Sequence, residues 1–335
     1  MTSQTVKKSR VLVVQPLPGI GDIIWHLPHL KAIAENTEPH QITLLTKDRS
    51  LAHELLLGTK YIKEVLYLSE VKKDAQGVLG GFRLGKFLKS YKFEQVWILH
   101  GSARYGIAAL RAGIKDRIGY GIGWQDAFLT SPYTLPRSEA DLGAIKKADR
   151  CLELNGVKII EKKPQLTLTD EALHAAKLLL KDNYKTTVGL AIGSSEPAKQ
   201  WGAQNFIHLI ETIRIKYQSQ IVLIGGANDS EIARSIDENF DSPNWITQAV
   251  GLPILEASAT ASLCNICIGN DTGILNIAAA TGTFSIGLYI ASIPQNDDPL
   301  IKPIIPANIN TVSTQNIEAL TNKIIIDTIS TVSGF

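Results

Sequence analysis

At 335 residues, with 44 % hydrophobic side chains and a mean hydropathy of +0.05, the chain can bury the cores of about two α/β domains and does not have a disordered composition. A net charge of +2 and a pI near 8.3 are too mild for a nucleic-acid binder. The polar, basic start Met1–Arg10 lacks the roughly 7–15 apolar residues of a secretory signal, and no run approaches the roughly 18 of a transmembrane helix. The expectation is a cytoplasmic protein whose membrane contact is peripheral.

Short β-branched runs alternate with helical stretches, the pattern of parallel sheets with crossover helices. The first half offers strands at Val11–Val14, Ile42–Leu45, Val65–Leu68 and Val96–Leu99. Between the first two, Asp22–Glu35 carries Ile23, Ile24, Leu27, Leu30, Ile33 and Ala34 at helical spacing. Tyr105–Ala112 follows, then a short strand at Arg117–Tyr120. Glu161-Lys162-Lys163-Pro164 reads as a linker, which divides the chain into residues 1–165 and 166–335. The second series runs through a helix at Asp170–Lys181, a strand at Val188–Ile192, a helix at Phe206–Lys216 and a strand at Ile221–Gly225. It continues with a helix at Asp229–Ile236, a strand at Ile266–Ile268, a helix at Gly273–Ala280 and a strand at Ser285–Tyr289, and ends on a helix near Thr314–Thr328. Two such α/β domains facing each other across a cleft would bind ligands at the carboxyl ends of their strands.

Three cysteines cannot build a disulfide framework. Cys264 and Cys267 form a C-x-x-C inside the apolar run Leu263–Ile268, with no second Cys or His pair at zinc spacing, and read as buried strand thiols; no metal site is expected.

Three motifs carry chemistry. Pro18-Gly19-Ile20-Gly21-Asp22 joins the first strand to the first helix, where glycines allow a tight turn and the helix start supplies a positive field. Ile24 stands where a dinucleotide fingerprint has its third glycine. Asp22 has two readings, a helix N-cap or a general base for an acceptor hydroxyl. His26, one turn on, either orients that carboxylate or forms a plain surface pair with it. The second motif, Gly193-Ser194-Ser195-Glu196-Pro197-Ala198-Lys199-Gln200-Trp201, follows a strand; its hydroxyls and lysine suit a diphosphate, or form an ordinary polar loop. The third, Gly269-Asn270-Asp271-Thr272-Gly273, opens a helix whose free N–H groups suit an anion, while Asp271 suits sugar hydroxyls; both Asp271 and Thr272 also read as caps. Asp229 or Glu231, after the Gly-Gly turn, could hold ribose hydroxyls, and Val250–Ile254 could line a base. Gly81–Tyr120 sets Arg83, Lys86, Lys89, Lys92, Arg104, Arg111, Lys115 and Arg117 against Glu94 and Asp116, which suits an anionic partner or a solvated face.

Together these segments resemble glycosyltransferase family 9, the ADP-heptose heptosyltransferases of lipopolysaccharide core assembly, from about Val11 to Tyr289. The resemblance adds Leu27-Pro28, Ser102–Arg104 and Arg117–Tyr120 to the motifs above. It implies a GT-B fold of two Rossmann-like domains, the first binding the acceptor and the second the nucleotide sugar, and an inverting, metal-independent transfer. It assigns Asp22 as the base and Lys199 to the diphosphate with Ser194 and Ser195. Asp271 goes to the donor sugar, Thr272 and Gly273 to the phosphate turn, Leu252 and Pro253 to the adenine, and Glu231 to the ribose. Gly19, Gly21, His26, Ser102 and Arg104 fall on the acceptor side. No cofactor is implied beyond the co-substrate, ADP-heptose; the acceptor is an anionic glycolipid, or a protein. Asn276 in place of the family's usual His, Ala198 in place of Ser, and Ile290-Ala291-Ser292 in place of Gly-Pro keep a non-heptose donor open. Rival readings are a nucleotide-sugar epimerase and a degenerate binding protein of a polysaccharide assembly.

Overall fold

The computed structural model describes residues 10–71, 77–181, 183–194, 196–294 and 298–305; Ser195 and the helix expected near Thr314–Thr328 lie outside them. The chain forms two compact units, residues 1–164 and 165–335.

The first unit runs β1 (Val11–Val14), α1 (Ile20–Glu35), β2 (Ile42–Thr46), α2 (Ala52–Leu55), β3 (Ile62–Tyr67), α3 (Gly77–Leu88), β4 (Gln95–Ile98), α4 (Ala103–Ala112), β5 (Asp116–Gly119) and α5 (Ala144–Leu154). Its sheet is parallel, in the order β3-β2-β1-β4-β5. β1 and β2 are buried on both faces, which is why β1 is an unbroken Val/Leu run and β2 is apolar apart from Thr43 and Thr46. β3 begins three residues earlier than its apolar pattern suggests, because an edge strand tolerates the exposed Lys63 and Glu64. Gly81 and Gly85 let α3 lie directly on α4: a Cβ at Gly85 would fall 2.7 Å from the Ala108 carbonyl oxygen. Those glycines also hid α3 from its sequence, since they weaken helical propensity.

The second unit runs α6 (Asp170–Leu179), β6 (Thr187–Ala191), α7 (Ala203–Tyr217), β7 (Gln220–Gly225), α8 (Ser230–Asn239), β8 (Ile246–Val250), α9 (Ile254–Ser262), β9 (Ile266–Asn270), α10 (Gly273–Ala280), β10 (Phe284–Leu288) and β11 (Ile301–Ile304). All six strands are parallel, in the order β11-β10-β9-β6-β7-β8. Large side chains fill one face: Val188, Leu190, Ile221, Leu223, Ile268 and Ile286 against Phe206, Ile210 and Ile213 of α7. Smaller ones predominate on the other, where Ala191, Ala249, Cys264 and Cys267 join Val222 and Ile224 against Ala257, Ala261 and Ala278. Both thiols are buried as expected, and burial pushes Cys267 up to about 12, but Cys264 sits in the α9–β9 turn rather than in a strand.

β8 and α9 are absent from the elements expected from sequence, and they flank the Val250–Ile254 stretch. In β8, Thr247 Oγ1 accepts a hydrogen bond from Gln220 Nε2 at 2.8 Å, so polar residues are satisfied inside a sheet. In α9, Ser258 and Thr260 donate to the carbonyls of Ile254 and Glu256 one turn back, at 2.6 and 2.8 Å, which lets a Ser/Thr-rich stretch stay helical. No helix among the described residues is long and apolar enough to cross a membrane.

Candidate functional site

In the second unit, β6 and β9 are hydrogen-bonded neighbours where the strand order reverses, β6 leading out to β7 and β8 and β9 to β10 and β11. Open α/β sheets bind ligands outside the carboxyl ends of strands at such a point. The Gly193–Trp201 loop leaves β6 there, and the Asp271–Thr272 turn leaves β9. Gly269 permits the closeness of the two strands, since a Cβ on it would lie 2.2 Å from the Ala191 carbonyl oxygen.

Fully buried Asn270 ties the two loops together. Its Nδ2 reaches the carbonyls of Ile192 (2.9 Å) and Gly193 (3.2 Å) and Gln200 Oε1 (2.9 Å), and its Oδ1 accepts the Trp201 N–H at 3.1 Å. Sequence reasoning gave Asn270 no role, although an amide ending an apolar strand was a usable signal.

Lys199 and Asp271 come together across this seam. Lys199 Nζ lies 3.3 Å from Asp271 Oδ2 and 2.8 Å from Glu196 Oε1; Asp271 Oδ2 also accepts from Ser292 Oγ at 2.7 Å. Burial works against the lysine's charge, but the Glu196 hydrogen bond and the Asp271 carboxylate outweigh it and raise its pKa, so the ammonium is charged at neutral pH. The Ser194 hydroxyl is engaged within the loop, donating to the Glu196 carbonyl at 2.9 Å. Thr272 is the N-cap of α10 and makes no side-chain capping bond, so the helix start at Gly273 keeps donors for an anion. Asn276 donates to the Thr272 carbonyl at 2.9 Å and so braces this turn.

The other residues expected on the donor side lie at the rim of the same sheet. Leu252 packs half-buried beside Ala249 and Ala257, Pro253 caps α9, and Glu231 is exposed in the first turn of α8. Asp229, by contrast, holds the backbone: it accepts the Gly226 N–H at 2.8 Å, and a Cβ at Gly193 would lie 2.1 Å from its carboxylate.

In the first unit the strand order reverses between β1 and β4, and the Gly19 and Ser102 loops leave there. The helix expected from Asp22 starts at Ile20, with Gly19 as N-cap and Gly21 in the first turn. Asp22 is therefore the third helical residue rather than the cap, and its Oδ2 accepts the Gly19 N–H at 2.8 Å. This is the returning half of a capping box, possible because glycine needs no side chain to occupy the cap.

His26 is not a surface partner of the Asp22 carboxylate. It is fully buried, and its Nδ1 lies 2.7 Å from the Asp22 backbone oxygen, which fixes the proton on Nδ1. Burial first, then the neighbouring His29, push its pKa down to about 3 against the pull of that carbonyl. His29, 5.2 Å away ring to ring, donates from Nε2 to Asp149 Oδ1 of α5 at 2.9 Å, and Asp149 meets Lys162 at 3.2 Å. This chain, buried at its histidines and open to solvent at Lys162, anchors α1 to α5, a helix absent from the sequence expectation.

Beside β4, the Ser102 N–H donates to His100 Nδ1 at 3.0 Å, and Ser102 caps α4. The Arg104 guanidinium lies 4.6 Å over the Tyr105 ring and bonds its hydroxyl. Burial, then Arg104, Lys47 and Lys147, push His100 down to about 4. Sequence reasoning missed His100, Lys47 and Lys147, which sit on three separate segments that only the fold brings near one another.

Fully buried His26 and partly buried His100 make stability depend on pH. Both have folded pKa values below the ordinary 6.5, so between 6.5 and those values the unfolded chain binds more protons. The stability they contribute is complete above pH 6.5 and falls as pH drops, by about 1.4 kcal/mol per pH unit for His26 and by less for His100, which solvent partly screens. Denaturant unfolding from pH 7 to 4.5 should show this slope, and His26→Asn, which keeps a donor at the Nδ1 position, should remove roughly one group's share. An unchanged slope would mean that His26 is protonated in the folded state.

Among the described residues no group of three His, Cys, Asp or Glu side chains is placed to hold a metal ion.

The family model of glycosyltransferase family 9 (heptosyltransferase) matches residues 81–322. Lipopolysaccharide heptosyltransferase 2 of Salmonella typhimurium is 24% identical over 229 residues, 65% of this chain and 66% of that protein, so the match spans just under two thirds of the relative. Among solved structures, the family 9 glycosyltransferase of Veillonella parvula has a TM-score of 0.79 at 20% identity, covering 98% of this chain and 97% of that one. The Escherichia coli ADP-heptose lipopolysaccharide heptosyltransferase II has a TM-score of 0.75 at 19% identity, covering 96% of this chain and 98% of that one. With two parallel-sheet α/β units of the GT-B type and a family match over most of its length, this chain belongs to glycosyltransferase family 9.

Proposed function

We propose that the chain is a glycosyltransferase that moves heptose from ADP-heptose to a hydroxyl of a lipopolysaccharide-core-type acceptor, with inversion and without a metal ion. The observation that carries this reading is the charged Lys199 at the strand reversal of the second unit, beside Asp271 and the open start of α10. A lysine and free helix-start N–H groups stabilise a diphosphate as it leaves and gains charge. Asp271 suits the donor sugar's hydroxyls, Leu252 and Pro253 the adenine, and Glu231 the ribose.

In the first unit, Asp22 takes the proton of the acceptor hydroxyl as that oxygen attacks the anomeric carbon and the nucleoside diphosphate departs. The acceptor is anionic: Arg104, Lys47 and Lys147 impose a positive field on His100 where β1 and β4 end. His26 serves the acceptor side by holding the Asp22 backbone. Ser195, outside the described residues, joins Ser194 as a donor to the diphosphate.

Calorimetric titration with ADP, UDP, GDP and ADP-heptose in chelator-treated buffer tests the donor half. ADP should bind selectively and ADP-heptose more tightly. Preference for UDP or GDP would overturn the donor assignment, and a strict need for a divalent ion would overturn the metal-free mechanism.

A further inference from the structure

The outer face of α3 and α4 has a composition that glycosyl transfer does not use. Along α3 the exposed residues Leu79, Phe82, Arg83 and Lys86 recur at helical spacing, while Gly81, Leu84, Gly85 and Leu88 turn inward. Leu79 is 69% and Phe82 49% exposed, and Leu110 of α4 is 51% exposed. Phe82, Ile107, Leu110, Arg111 and Phe128 surround one open cavity of about 390 Å³, so these apolar groups form one patch rather than scattered singles. Neither α3 nor α4 contains an Asp or Glu, and Arg83, Lys86 and Arg111 stand exposed around the patch.

We propose that this face is the docking surface of the first unit for an anionic phospholipid bilayer. Large apolar side chains enter the acyl–headgroup boundary, and the basic rim meets lipid phosphates; this pairing of chemistries distinguishes an interfacial membrane site from a surface that binds by charge alone. A nucleic acid would leave Leu79, Phe82 and Leu110 in water, and a second copy of the chain would set this basic rim against another. The inference is independent of the sugar transferred, because it reads lipid partitioning and not turnover.

The test is flotation of the full chain with vesicles of phosphatidylcholine alone and of equal parts phosphatidylcholine and phosphatidylglycerol. Binding is expected to the anionic vesicles only and to weaken with salt. Lys86→Gln with Arg111→Gln should lower the partition coefficient roughly 25-fold, about fivefold per charge. Phe82→Ser with Leu110→Ser should abolish binding at high salt, while Ile215→Ser, which alters an exposed apolar residue of the second unit, should leave it intact. These positions are exposed, and unchanged circular dichroism would confirm that the variants fold. Wild-type chain left behind by anionic vesicles, or patch variants that float like wild type, would overturn the proposal. So would a dimer in light scattering that Phe82→Ser dissociates, since the patch would then be covered by a second copy.

Discussion

Asp22→Asn is expected to lower kcat by ~10²–10⁴-fold while leaving ADP binding intact. The position of Asp22 makes this substitution more informative than alanine alone. Its carboxylate accepts the Gly19 N–H at 2.8 Å, so it closes the start of α1 whatever else it does. Asparagine keeps an oxygen for that bond but has no basicity with which to take a proton. Alanine removes both functions and should cost about 1 kcal/mol of stability as well. If Asp22 were only a cap, the asparagine variant would match wild type in turnover and the alanine variant would lose stability alone. Nucleoside-diphosphate release at saturating donor, with thermal unfolding in parallel, separates the two roles. His26 bears on the outcome: its bond to the Asp22 carbonyl fixes the backbone from which the carboxylate reaches Gly19.

The strands were legible wherever both faces of a parallel sheet are buried, because Val11–Val14 or Ile221–Gly225 can be little else than core. Legibility failed where packing overrides local preference. The glycines of α3 read as loop until α4 lies against them, and the hydroxyls of α9 read as turn until they bond their own helix. The motifs were legible as loops after strands, yet their internal wiring was not. Nothing in Gly-Asn-Asp-Thr-Gly says that Asn270 reaches back across the seam to Gly193, since that contact depends on β6 and β9 being neighbours. For the same reason the burial of His26 escaped notice. Its partner chain ends on Asp149, more than a hundred residues away on a helix whose start lacks a cap signal. Side chains that act through the backbone of their own segment can be read from sequence; those whose partners come from another strand or helix require the topology first.

Lys199→Ala is the second large effect expected, a loss of about 10²-fold in rate at saturating donor. The charge at this point is both conserved by its surroundings and contested by them. Asp271, only 16% exposed at its side chain, holds the ammonium from within, whereas Glu196, 61% exposed, holds it from the solvent side. An incoming diphosphate competes with the exposed partner more readily than with the buried one, because solvent already weakens the Glu196 pair. Glu196→Gln should therefore act in the opposite direction, tightening ADP by up to about fivefold, the worth of one exposed ion pair. Asp271→Asn should cost more than it releases, since it removes the negative charge beside Lys199 and leaves one neutral amide oxygen for both Lys199 and Ser292. Isothermal titration with ADP and single-turnover rates with ADP-heptose give the two readouts. A Lys199→Ala enzyme with wild-type rate would remove the lysine from the diphosphate. A Glu196→Gln enzyme that binds ADP less well would mean that the glutamate positions Lys199 for the ligand instead of competing for it.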